Sequence, residues 1–149
     1  MAMSKTRLFA LLTLGALTLT GCQNDTEMTY KDYLEMSVDE QIAYEREQQS
    51  LIALAVTELS TIENIIGHHF SIETGFQIEI DEGYLLDKNI NEREQEHYQV
   101  RCEKLYEYFT SKDIDHVRII LRVKDIDSSS YIGWFAYDNE RGFEYEIKE

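Results

Sequence analysis

The 149-residue sequence has no proline, one tryptophan, two cysteines, and 14 lysines and arginines against 29 aspartates and glutamates. Each scarcity excludes something. Two cysteines cannot build the disulfide framework of a small secreted scaffold, so a hydrophobic core has to hold the fold together. The shortage of basic residues, a formal net charge of −15, argues against a nucleic-acid surface and against docking on anionic lipid. No apolar run reaches the roughly 20 residues that span a bilayer; the longest, LFALLTLGALTL from Leu8 to Leu19, has 12. Neither a G-x-S-x-G turn, a P-loop nor a G-x-G-x-x-G stretch is present, and so no motif for a serine nucleophile or a phosphate cradle. The lack of proline removes a common turn device but does not exclude a sheet.

What is there begins with that short apolar run. Lys5 and Arg7 precede it and polar residues follow it at once, the layout of a secretory leader. It ends in Leu19-Thr20-Gly21-Cys22, which resembles the lipobox of bacterial lipoproteins. The resemblance covers residues 1–22 only. It implies that residues 1–21 are removed and that the Cys22 thiol, the side-chain nucleophile that alkylates most readily, carries a diacylglyceryl group. Two acyl chains hold a protein on a membrane where one holds it only marginally. The implied location is therefore extracytoplasmic, on the cell membrane; in a Gram-negative envelope Gln23, which is not the aspartate of inner-membrane retention, implies the outer membrane. Loss of Lys5 and Arg7 leaves 12 basic residues against 29 acidic ones, a net of −17. It also leaves Cys102 as the one free thiol.

Residues 22–36 read as a lipid-anchored polar tether, in which TYKDYLEM suggests a brief helical turn, and residues 37–149 as one domain. Ser37 and Glu40 form a capping box, opening a helix expected to run to about Ile66 and to close at Gly67. Its packed part is expected to begin near Leu51, because AYEREQQS is polar almost all round. Phe76, Ile78 and Ile80 alternate with polar residues, as in a half-buried strand. Tyr98, Cys102, Leu105 and Phe109 mark the stripe of a second helix over 91–111. Alternation then predicts strands at Val117–Lys124 and Phe143–Ile147, and Tyr131–Tyr137, apolar on both faces, reads as a central strand that forms a hairpin with the last. The expected fold class is α+β: two helices on one face of a mostly antiparallel four-stranded sheet, in the order α-β-α-β-β-β.

Candidate chemistry is thin. His68 and His69 at a helix end, His97 and His116 lack any metal-ligand spacing, and no cofactor is implied. The repeated Lys-Asp-Ile-Asp at 112–115 and 124–127 brackets a strand and reads as solvated punctuation. Cys102 lies on an apolar stripe, where cysteine behaves as a small hydrophobe. The outward face of the sheet is more suggestive. If Val117, Ile119 and Leu121 face the helices, Arg118, Ile120, Arg122 and Lys124 face away. Should Trp134 lie outward too, Trp134 and Ile120 form an apolar centre rimmed by Arg118, Arg122, Glu144 and Glu146, as at protein interfaces. A core tryptophan, with Arg–Glu pairs as cross-strand neighbours, is the plainer expectation.

The sequence thus points to a non-enzymatic, lipid-anchored module that binds another protein at the cell envelope: an assembly factor, an immunity protein, or an inhibitor of a cationic partner. A small envelope enzyme or metal-binding protein is one alternative. A leader that yields a short apolar pheromone peptide is another.

Overall fold

Capping starts every helix among the described residues. In the computed structural model, which describes residues 28–149, α1 (Tyr30–Glu35), α2 (Val38–Leu59) and α3 (Glu92–Thr110) each follow a capping box. The side chains of Thr29, Ser37 and Asn91 accept from the amides of Asp32, Glu40 and Glu94, whose carboxylates accept in return from the cap amides. The leader and Cys22 lie outside the described residues.

α2 is shorter than expected. It ends at Leu59, where the amides of Ile62 and Glu63 both donate to the Leu59 carbonyl and turn the chain. Ile65–Ser71 then forms strand β1, so Gly67 caps no helix and His68 and His69 sit within a strand. Ile65 and Ile66 continue the helical spacing in sequence, but their β-branched side chains suit a strand, and β2 (Gly75–Leu85) supplies the backbone partners. The β1–β2 turn needs Gly75, at φ +69°, where a Cβ would stand 2.5 Å from the His116 carbonyl.

With β3 (Val117–Asp125), β4 (Tyr131–Asp138) and β5 (Gly142–Ile147), the sheet has five strands among the described residues, in chain order from β1 to β5. The α+β class holds; the four-stranded, mostly antiparallel sheet becomes five-stranded and mixed. β2 and β3 run parallel at its centre, and the other three neighbouring pairs run antiparallel. The reason is α3, the helical crossover between β2 and β3, which returns the chain to the end of the sheet where β2 began.

Both long helices pack on one face. Ile52, Val56 and Leu59 of α2 and Cys102, Leu105 and Phe109 of α3 join Ile78, Ile80, Ile119, Leu121 and Phe135 of the sheet in a single buried cluster. α2 packs from Tyr44 rather than from Leu51, because the Tyr44 ring meets Phe70 on the unforeseen β1. α1, within the stretch read as tether, docks on α2: the Tyr33 hydroxyl donates to Glu45, and Gln41 Nε2 donates to the Tyr33 carbonyl. A bulge in β2 between Asp81 and Gly83 aims Glu82 at α3, where Arg101 donates to Glu82 and, through two nitrogens, to Glu63 in the turn after α2. One guanidinium thereby ties three segments together. The two carboxylates, Glu63 foremost, raise its pKa against the opposing effect of burial.

Candidate functional site

Strand register decides which side chains share the sheet face turned away from the helices, called here the outer face. Cross-strand partners project on the same side. Gln77, Glu79 and Asp81 of β2 pair with Arg118, Ile120 and Arg122 of β3. Ile120 and Arg122 pair in turn with Ala136 and Trp134 of β4, and these with Glu144 and Glu146 of β5. Two rows thus cross the sheet: Glu79–Ile120–Ala136–Glu144 and Asp81–Arg122–Trp134–Glu146. Trp134 is therefore no core residue. It is half-buried on the outer face, and all six residues picked from the sequence, Arg118, Ile120, Arg122, Trp134, Glu144 and Glu146, come together there.

Arg118 departs from its expected place on the rim. It is 7% exposed, donates to Asp138 through one terminal nitrogen and to Glu144 at 2.9 Å through the other, and lies 5.8 Å from the Trp134 ring centroid. Asp138 Oδ1 also accepts from the amides of Glu140 and Arg141, at 3.0 and 2.8 Å. Burial pushes the Asp138 pKa up, but the Arg141 amide and the Arg118 guanidinium outweigh it, and the carboxyl stays below its usual range. This buried cluster fixes the β4–β5 turn against β3.

Arg122 is less committed. Its Nε stands 3.7 Å from Glu79 Oε2, an ion pair too long for a hydrogen bond, and finds no hydrogen-bond partner among the described residues. Its guanidinium lies 5.6 Å from the Tyr131 ring, on the strand that also carries Trp134. Lys124 completes the series. Its ammonium pairs with Asp81 and stands 5.1 Å from Tyr131 and 5.9 Å from Tyr84. The hydrogen bond from Lys124 holds the Asp81 carboxyl below its usual range, and the same bond raises the lysine. Three cations along one strand are thus each flanked by a carboxylate and an aromatic ring.

Asp81, Glu79, Asp138, Tyr131 and Tyr84 were not singled out in the sequence. The alternation of Gln77, Glu79 and Asp81 on β2 against Arg118, Arg122 and Lys124 on β3 carries the signal, but only once the two strands are known to be neighbours.

The other sequence candidates separate. Cys102 is wholly buried, and burial pushes its thiol up to about 12, which leaves no thiolate for chemistry at neutral pH. The two Lys-Asp-Ile-Asp stretches lie at opposite ends of β3. Among the described residues no three histidine, cysteine or carboxylate side chains gather as metal ligands, and no helix is long and apolar enough to cross a membrane. A shallow groove of about 350 Å³ beside β5, lined by Lys88, Ile90, Tyr145 and Glu146 among others, is open and lightly built. No family model matches the chain, and no curated protein or solved structure is similar to it.

Proposed function

We propose that the protein is a lipid-anchored, extracytoplasmic module that binds another protein through the outer face of its sheet and catalyses no reaction. The observation that carries this reading is Trp134, half-buried on the face that neither helix covers and set among Arg118, Arg122, Glu144 and Glu146. Tryptophan, tyrosine and arginine are the residues that dominate binding energy at protein interfaces, and here they stand on five paired strands that need little ordering on contact. The lipobox ending at Cys22 supports the anchor and the envelope location. The surplus of acid, −17 without the leader, supports a cationic partner.

The test is capture from envelope extracts on an immobilised Cys22→Ser form, washed at graded salt, beside the same form carrying Trp134→Ala or Arg122→Ala. The expected result is a protein that salt elutes and that both variants fail to hold while keeping native circular dichroism. Capture that is indifferent to both substitutions, or none at low salt, refutes the proposal.

A further inference from the structure

The start of the described chain carries four large apolar side chains that the core does not use. Tyr30 and Leu34 on α1 are 48% and 58% exposed, and Val38 and Ile42 at the start of α2 are 70% and 41% exposed. Within each helix the two are four residues apart and share a face. All four lie within 13 residues of one another. α1 does not shield itself from water by docking: Tyr33 faces α2, and Tyr30 and Leu34 are left out.

Position and reach say what covers this surface. The Tyr44 ring meets Phe70 beside Phe76, at the end of the sheet where β2 and β3 begin, so α1 and the first turns of α2 form that end of the molecule. The β3–β4 turn, with Ser128 exposed, is at the opposite end. From Cys22 to Tyr30 is eight residues, a reach of no more than about 28 Å. A diacylglyceryl group at Cys22 therefore keeps Tyr30, at the start of α1, within that distance of the bilayer, and Leu34, Val38 and Ile42 follow within the next 12 residues. Charge selects the lipid. Residues 30–47 carry six acidic and two basic side chains, which suits a zwitterionic surface and opposes an anionic one.

We infer that Tyr30, Leu34, Val38 and Ile42 rest on the membrane surface as a second, non-covalent contact, holding the domain end-on with its outer sheet face open to the side. This rests on the lipid anchor proposed above and adds to it an orientation. Amphipathic helices lie at the headgroup boundary in this way, with their apolar face inserted only a few ångströms.

The test uses the lipidated protein reconstituted into phosphatidylcholine vesicles, with and without brominated acyl chains. Leu34→Cys, Val38→Cys and Ser128→Cys forms each carry one fluorophore, which the acylated Cys22 and the buried Cys102 do not accept. Labels at 34 and 38 should lose most of their emission to the brominated chains, the label at 128 should keep its own, and added phosphatidylglycerol should restore part of what was lost. Equal emission from all three, in protein whose mass includes the diacylglyceryl group, overturns the orientation and leaves the anchor standing. A mass without that group overturns the anchor and the orientation together.

Discussion

Removing the Arg118 guanidinium should cost more than any other surface-directed change in this domain. Arg118→Leu keeps an apolar stem on β3 but strands Asp138, which is 9% exposed, and Glu144. Breaking a buried ion pair from one side costs about 3–5 kcal/mol, because a charge is left in a poorly solvating site. Here the lower end applies. Asp138 keeps two backbone donors and the Arg141 side chain at 3.4 Å, and the Glu144 side chain, 42% exposed, can turn to water. A loss of about 3 kcal/mol is a large part of the roughly 5–15 kcal/mol that holds a domain together. With a urea dependence of about 1.5 kcal/mol per molar, the midpoint should fall by about 2 M. Trp134, beside Arg118, reports the transition by its emission, and far-ultraviolet circular dichroism should trace the same curve.

Acid supplies the control. The Asp138 carboxyl has a folded pKa below its unfolded value, so its contribution is complete above the unfolded pKa, about 3.9, and is lost as pH falls through the folded value. Below that point the parent chain retains a buried Arg118 cation without its partner anion, while the variant has no such cation. The gap between the two should therefore narrow as pH falls below about 3.9. A variant within about 1 kcal/mol of the parent at pH 7, where a buried pair requires about 3, refutes the reasoning. So does a gap that keeps its size in acid.

Three further outcomes follow from single contacts. Cys102, with its thiol pushed up to about 12, should resist a disulfide reagent at pH 8 in the folded chain and react at once in urea; rapid labelling of native protein would show that the helix is open. Gly133→Ala places a Cβ 2.2 Å from the Glu146 carbonyl oxygen and 2.6 Å from Ile147, so β5 must move. A loss of about 1–3 kcal/mol is expected, with faster hydrogen exchange confined to β4 and β5; unchanged exchange there would contradict it. Arg101→Met leaves Glu63 and Glu82 without their shared donor and should cost about 2 kcal/mol by urea titration, whereas an unchanged midpoint would mean that the three-segment tie contributes nothing.

The legible parts of this fold are those with local causes. The α2 cap and the α3 stripe, and the three strands β2, β3 and β5 that alternate cleanly, are written in short spacings. β1 was hidden because Ile62, Ile65 and Ile66 extend the helical spacing past Leu59, and Gly67 stands where a helix cap would. What ends α2 is the turn at Ser60–Asn64 together with β2, a partner ten residues further on. The Trp134 face could not be read from its own strand, since β4 is apolar on both sides and alternation selects neither. It follows from pairing with Arg122 and Glu146. The parallel β2–β3 pairing was within reach: a strand, a 19-residue helix and a strand form the crossover that makes parallel neighbours.

Because Arg118 and Lys124 are already paired within the sheet, the long-range field at the outer face comes from the acidic surplus of the whole domain rather than from these cations. That separates two roles at the proposed interface. The net charge would steer a cationic partner toward the face and act on the association rate, which falls as salt screens it over a Debye length of about 10 Å at 0.1 M. Trp134, Arg122 and Tyr131 would act after contact, where desolvation and packing set the dissociation rate. Surface-binding kinetics with the captured partner should therefore show salt slowing association and leaving dissociation nearly unchanged, and Trp134→Ala doing the reverse. If salt instead speeds dissociation as strongly as it slows association, the partner is held by charge pairs at the contact, and the aromatic centre is not what binds it.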